Sequence, residues 1–436
     1  MFENFYSTAR WTLPSSFSTI TSLYPIFHRV RTKFIDRLSF QIPTLAETLQ
    51  REGYQTVFIG GGAYFLNQLN GGIRGYDLVT DRPIEQILSD VSKKSKPWFI
   101  HYYRGDLHMP YMIPEDAQPM ENLVAPEGFP ITNSDFYPIF NTYLKEHYAE
   151  VFTQKAIDEY RSIILSPDKP NDTSVAELYF KLDAGNQYEY FIDIWKALFN
   201  AYMATIDTTK SSDVAYMRMM YDTKINILDN QLEGLLKNLS SGPLAKNTVT
   251  VLTSSHGESF GEHGTFSHDE NYHSELFHTP LIIRSQQLPN KQVEQASSNI
   301  DIFPTLLELV GIKRPAGLQG NSLVPNISNQ KFDFDRFVLS ENESGGIILQ
   351  NQNWLYFLSG EARGIEQSIL YNKIIDPLEI VNVFAKYPEL TQLLYKQASL
   401  VRSYSDIFLE IRKTYDFNQL KLDPEKVKRL QKEGYF

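Results

Sequence analysis

At 436 residues the chain exceeds what one hydrophobic core usually supports, so two unequal domains are expected, and 42% hydrophobic with 21% charged residues is an ordinary soluble, globular balance. The net charge of −11 argues against a nucleic-acid surface or a generic binder of anionic membranes, and zero cysteines exclude disulfides, thiolate metal ligands and a cysteine nucleophile. No apolar run is long enough to span a bilayer, and the opening Met1-Phe2-Glu3-Asn4 is polar and acidic, unlike a signal peptide, which leaves the compartment undetermined.

In chain order, Thr12 stands where a polar residue at a helix N-terminus needs no special role. Thr44 and Glu47 form the pattern of a capping box, and the helix they open stops at Gly53, a suitable residue just past a helix end. Gln55–Gly60 reads as a strand, and Gly60-Gly61-Gly62 as a turn, because the triplet lacks the spacing of a dinucleotide fingerprint. A further strand, Pro97–Tyr103, leads into Arg104-Gly105-Asp106-Leu107-His108-Met109-Pro110-Tyr111. A histidine just beyond a strand's carboxyl end is expected to face a site. Residues 112–211 read as a Pro-rich aromatic loop (Met112–Tyr143), a helical segment (Leu144–Leu165) and a polar linker (Ser166–Asp172). They either overhang the pocket and shape access to it or decorate the fold passively.

Ser212–Leu239 carries apolar residues at steps of three and four, from Val214 through Met217, Tyr221, Ile225 and Leu228 to Leu239, so it is a long amphipathic helix. Its charges read as a solvated face, and Met219 and Met220 as packing. The stretch 247–284 is the most informative. Thr248–Thr253 is a short β-branched apolar run that breaks into Ser254-Ser255-His256-Gly257-Glu258, and a second apolar strand follows at Pro280–Arg284. Five of the nine histidines fall between them: His256, His263, His268, His273 and His278. In a parallel α/β sheet this is where a ligand binds. Ser298–Gly311 reads as a helix closed by glycine. From Phe334 short strands alternate with turns, covered by a helix over Tyr387–Arg402, and Lys421–Gly434 reads as a terminal surface helix.

Several of these segments, in this order, resemble the sulfatase family of the alkaline phosphatase superfamily. Phe5-Tyr6-Ser7-Thr8-Ala9 with Pro14-Ser15 and Leu23-Tyr24-Pro25 is similar to the family's nucleophile segment. His108-Met109-Pro110-Tyr111, Gly261-Glu262-His263-Gly264 with His268, Ile300-Asp301-Ile302-Phe303-Pro304-Thr305-Leu306-Leu307-Glu308-Leu309, Gly320-Asn321-Ser322-Leu323 and Leu370-Tyr371 with Asp376-Pro377 continue the likeness. The resemblance implies an α/β fold: a large alkaline-phosphatase-like domain with a central, mostly parallel sheet over 1–330, and a smaller C-terminal α+β domain over 331–436.

It also implies roles. The nucleophile position falls on Thr12, where sulfatases carry a Cys or Ser that is oxidised to formylglycine; Thr cannot give that aldehyde, whereas relatives that cleave or transfer phosphoryl groups use a Thr hydroxyl directly. His108 would meet the sulfate oxygens, and His263, His268 and Ser16 would line the substrate pocket, Ser16 standing where an Arg is common. A divalent Ca or Mg ion is implied, with His256 as its matching ligand and Ser255 in the place of an expected Asp; zinc is the alternative metal. The family's first acidic pair follows a strand that would lie ahead of Met1. The expected function is a sulfuric-ester-hydrolase type whose hydrolysis of sulfate or phosphate esters is impaired or lost. The alternatives are a non-catalytic ligand-binding or scaffold relative, and a phosphodiester or phosphonate ester hydrolase or transferase using Thr12. The partner is an anionic sulfate or phosphate ester, not nucleic acid, and family members are often extracytoplasmic. The oligomeric state stays open.

Overall fold

The computed structural model describes residues 1–31, 36–60, 65–68, 70–121, 123–147, 188–268, 271–328, 336–342 and 344–414. Gly61 and Gly62, most of the helix expected at Leu144–Leu165, the linker Ser166–Asp172 and the terminal helix at Lys421–Gly434 lie outside them.

Three parallel strands form one sheet in the order β3-β2-β4, with β2 (Gln55–Ile59) between β3 (Leu78–Thr80) and β4 (Trp98–Tyr102). A short parallel pair joins β1 (Phe5–Tyr6) to β9 (Ser297–Ser298). The strand that delivers the histidine-rich loop, β5 (Thr250–Thr253), differs from expectation, because it pairs antiparallel with β8 (Leu281–Arg284), Val251 opposite Ile283. Between them the chain makes a small hairpin, β6 (Ser259–Phe260) with β7 (Phe266–Ser267), and a helical turn at Ser274–Phe277.

Helix α1 (Thr12–Thr21) is the most buried helix near the site, although it is rich in Ser and Thr. Burial of hydroxyls is tolerated because they find acceptors. Thr19 Oγ1 donates to Ser15 O at 3.0 Å and Thr21 Oγ1 to Phe17 O at 2.6 Å. Leu13 and Phe17 anchor the same helix in an apolar cluster with Phe58 and Phe65. Helix α2 (Leu45–Arg51) opens with the expected capping box: the Glu47 N–H donates to Thr44 Oγ1 at 3.1 Å and the Thr44 N–H to Glu47 Oε2 at 2.9 Å. Gly53 follows with φ +86°, a left-handed conformation that glycine adopts without strain. Helix α3 (Ile84–Ser92) packs its apolar face on Val57 and Ile59.

The loop expected over Met112–Tyr143 is shorter, since helix α4 already begins at Asn133 and runs to His147. Thr132 and Asp135 bracket its start, the Thr132 N–H donating to Asp135 Oδ2 at 2.9 Å, and Phe136, Phe140 and Leu144 form a buried stripe at a spacing of four. That period outweighs Pro138, which sits inside the helix. Helices α5 (Tyr188–Met203) and α6 (Ser211–Ser241) complete this layer. Met217, Met219 and Met220 are core residues there, as expected, whereas Ile225 on the expected stripe is exposed.

Helix α7 (Ile302–Leu309) follows a one-turn 3₁₀ segment at Asn299–Asp301. The C-terminal part is an antiparallel meander, β10 (Val338–Glu341), β11 (Ile347–Gln350), β12 (Trp354–Leu358) and β13 (Ser368–Asn372), in sequential order. It is covered by α8 (Pro388–Thr414), which runs further than the expected Arg402. The first strand of this meander lies against the segment that leads into α1: the Glu341 N–H donates to Thr8 O at 2.9 Å and Ser340 Oγ to Ser7 O at 2.6 Å.

Candidate active site

Two elements meet at the carboxyl end of β5. The N-terminus of α1 presents Thr12, and the turn after β5 presents His256, with Thr12 Oγ1 and His256 Nε2 3.2 Å apart. The turn is fixed from below by serines: Ser7 Oγ donates to Ser255 O at 2.7 Å, Ser15 Oγ binds the same carbonyl, and Ser254 Oγ donates to His256 O at 2.7 Å. Gly257 lets the turn pass against the Ser274–Phe277 segment, because a Cβ there would lie 1.9 Å from Glu275 O.

The tautomer of His256 follows from its second bond. Nδ1 lies 2.7 Å from Gly257 O, and a carbonyl only accepts, so Nδ1 carries the proton. Nε2 is then a bare lone pair, and the Thr12 hydroxyl donates to it. Burial pushes His256 down to about 4, with Arg10 and His268 acting in the same direction, so the ring is neutral and able to accept the Thr12 proton. His108 repeats the pattern. Its Nδ1 donates to Met109 O at 2.6 Å, and burial pushes it down to about 3, aided by His268.

His268 sits between the two, its ring centroid 4.7 Å from that of His256 and 5.2 Å from that of His108. Glu258 Oε1 lies 3.5 Å from His268 Nδ1, and burial holds the Glu258 carboxyl above its ordinary range. Arg10 donates from Nη1 to His268 O. Lys224 reaches in from α6, its Nζ 3.3 Å from both His108 O and Pro110 O, and burial lowers it to about 8 against the opposing pull of Asp106 and Glu258.

The structure therefore brings together Thr12, His256, His268 and His108 of the expected site residues. Ser16 lies one helical turn beyond Thr12 and is buried. His263 is engaged elsewhere, with Nδ1 on Glu275 Oε1 at 2.8 Å and Nε2 on Leu378 O at 2.9 Å. Ser255 contributes its backbone carbonyl to the serine cluster. Lys224 is a residue the sequence reading missed, and it corrects the reading of the α6 charges as a wholly solvated face. The signal was present: Lys224 falls on the apolar stripe, seven residues after Met217 and four before Leu228.

A hard dication of the calcium or magnesium kind takes carboxylate and carbonyl oxygens. Position 255 offers a neutral hydroxyl, the Ser255 carbonyl already accepts two serine hydroxyls, and His256 Nε2 is committed to Thr12. Neither position 255 nor His256 therefore fits such an ion.

Comparison with known proteins bears on family and fold. The family model described as Sulfatase matches residues 1–312. Arylsulfatase K of Mus musculus is 27% identical over 209 residues, covering 45% of this chain and 37% of that protein. The Delta 4,5-hexuronate-2-O-sulfatase of Bacteroides thetaiotaomicron is 28% identical over 222 residues, covering 48% of this chain and 44% of that protein. The matched stretch thus spans less than half the length of these curated relatives. Among solved structures, the phosphonate monoester hydrolase of Agrobacterium radiobacter superposes with a TM-score of 0.62 at 17% identity, covering 93% of this chain and 88% of that one. A protein solved with its substrate D-glucosamine-2-N,6-O-disulfate gives 0.58 at 18% identity, covering 93% and 90%. At such identities the likeness is one of fold: an alkaline-phosphatase-like α/β domain with a smaller C-terminal domain. With its motifs in order, its fold matched and the family model spanning its first 312 residues, the chain belongs to the sulfatase family.

Proposed function

We propose that the chain binds an anionic sulfate or phosphate ester in front of Thr12, and that its hydrolysis of sulfate esters is impaired or lost. The observation that carries this reading is the Thr12–His256 hydrogen bond beside a serine at position 255. Oxidation of a threonine, a secondary alcohol, would give a ketone, so the aldehyde chemistry of sulfatases is closed to this chain. What remains is direct attack. As Thr12 Oγ1 bonds to the phosphorus or sulfur, its proton passes to His256 Nε2, and that proton then serves the departing alkoxide. Water, giving a proton to the same Nε2, then attacks the phosphorus or sulfur, the bond to Thr12 Oγ1 breaks, and Oγ1 recovers its proton from Nε2. Lys224 and Arg10 supply positive charge near the ester oxygens.

Without a fitting dication the charge that develops on those oxygens is met by side chains alone. Removing even a single preorganised donor in comparable sites costs about 10²–10³ in rate, so weak turnover is expected. A second reading, a phosphodiester or phosphonate ester hydrolase or transferase, is favoured by the same Thr12 hydroxyl, because phosphoryl transfer needs no aldehyde. A third, a non-catalytic binder, is favoured by Ser255.

Aryl sulfate, aryl phosphodiester and aryl phosphonate assays on the purified chain, with metal analysis, separate these. Slow turnover lost in Thr12→Ala is the expected result. Fast aryl sulfate turnover with stoichiometric calcium or magnesium would overturn the reading. Binding of inorganic sulfate or phosphate with no turnover would establish the non-catalytic one.

A further inference from the structure

The ligand atoms of His263, His273 and Glu275 all fall within 4.8 Å of one another. Two imidazoles and one carboxylate are a donor set that suits zinc, with remaining positions left to water. Two of the three ligands, His263 and Glu275, are held as a metal ligand is usually held. His263 gives its Nε2 proton to Leu378 O at 2.9 Å, which leaves Nδ1 on the side of Glu275. A backbone carbonyl on the far nitrogen is the usual way a ligating histidine is oriented. Glu275 is turned by Asn271, whose Nδ2 donates to Oε1 at 2.9 Å, and Asn271 Oδ1 accepts the backbone N–H of His273 at 2.7 Å.

Two further observations point to a ligand. His273 is buried, with 7% of its surface exposed, yet its Nδ1 has no hydrogen-bond partner. An unpaired buried nitrogen is costly, and native structures rarely carry one without a reason. In addition, a cavity of about 390 Å³ opens beside it, lined by both histidines together with Thr265, Asn271, Asn342 and Ser344. That space accommodates an ion and its waters.

The present 2.8 Å contact between His263 Nδ1 and Glu275 Oε1 is a hydrogen bond, in which a proton occupies the place an ion would take. The two rings are stacked with centroids 3.4 Å apart and 2° between planes, so their donor edges lie in parallel planes. One ring must turn about its Cβ–Cγ bond to converge on a single ion, and that torsion is a soft one for histidine.

We infer that His263, His273 and Glu275 form a zinc site that clamps the active-site hairpin to the Ser274–Phe277 turn and, through Leu378, to the loop after β13. The site is independent of the reading of Thr12. The cation would tie the loop carrying His256, Glu258 and His268 to the C-terminal part of the chain, a structural service.

The test uses the full chain, stripped with chelator and titrated with zinc, reading stoichiometry by calorimetry and elemental analysis. One equivalent per chain is expected, together with a raised melting temperature. His273→Phe keeps the ring stack without the nitrogen, and Glu275→Gln keeps the carboxyl shape without the charge; both should lose that equivalent, while His256→Ala keeps it. Zinc X-ray absorption of the unaltered chain needs no variant and should show two imidazoles with oxygen ligands. No stoichiometric zinc, an ion lost in His256→Ala but kept in His273→Phe, or a first shell without two imidazoles would each overturn the assignment.

Discussion

Single residues in this protein are placed by which of their nitrogens or oxygens is already spoken for. His28 shows this away from the site. The Val30 N–H donates to His28 Nδ1 at 3.0 Å, so Nε2 carries the proton and faces Pro14 O and Ser18 Oγ at 3.1 Å each. Burial lowers this group from 6.5 to about 3. The fold thus prefers the neutral ring, and the unfolded chain binds the extra proton first as pH falls below 6.5. The stability that His28 protects is intact above that pH and drains away toward pH 3, by about 2 kcal/mol at pH 5 from 1.36 kcal/mol per unit. Denaturant midpoints measured from pH 7 to 4 should fall more steeply in the wild type than in His28→Gln, whose amide cannot titrate. Parallel slopes would remove His28 from the acid sensitivity.

At the scale of elements, the helices and turns that carry the site were largely legible. The capping box at Thr44, the strand ends at Ile59, Tyr102 and Thr253, and the helix ending at Gly311 all follow from local chemistry within a residue or two of expectation. What the sequence did not disclose were tertiary choices. The antiparallel partner of β5 depends on where β8 lands, and the division of labour between His263 and His268 depends on which way the hairpin faces. Lys224 was hidden by a rule that is right for most helix charges. Its burial makes a prediction for α6. The folded group loses its proton near pH 8 while the unfolded one holds it to 10.5, so stability should rise with pH across that window, by about 3 kcal/mol at most. Lys224→Met should flatten the rise when the two proteins are compared by chemical denaturation from pH 7 to 10. The turn after β5 makes another. In Gly257→Ala the new Cβ meets a backbone carbonyl that cannot step aside, so the turn must shift and carry His256 off Thr12. An overpacking cost of about 1–3 kcal/mol is expected, with any ester turnover falling further than stability does. An unchanged pH–rate profile and rate would show that the turn absorbs the methyl group.

Across the whole molecule, the C-terminal meander is attached to the site-bearing part through buried polar groups as much as through apolar contact. Arg336, just before β10, reaches Asp301 with both terminal nitrogens, Nη1 to Oδ2 at 2.6 Å and Nη2 to Oδ1 at 3.0 Å. Asp301 is fully buried and also accepts the Ser298 and Asn321 N–H groups at 2.8 and 2.7 Å. Glu341 on β10 is paired with Arg31 and takes the Ile26 N–H at 3.1 Å, while its own N–H donates to Thr8 O at 2.9 Å, so the same strand grips the chain on both sides of α1. This gives the meander a second task, holding the segment from which Thr12 projects. Arg336→Leu tests it. The change strands a buried carboxylate with two backbone donors and no counter-ion, which costs about 3–5 kcal/mol for comparable broken pairs. Replacing both partners, in Asp301→Asn with Arg336→Leu, removes the stranded charge and should recover part of that loss. A double-mutant cycle on the denaturation midpoint reads the coupling directly. If the two changes add without coupling, the pair does not hold the meander to the rest. If they couple and ligand binding at Thr12 weakens in Arg336→Leu alone, docking of the C-terminal sheet is part of what positions Thr12.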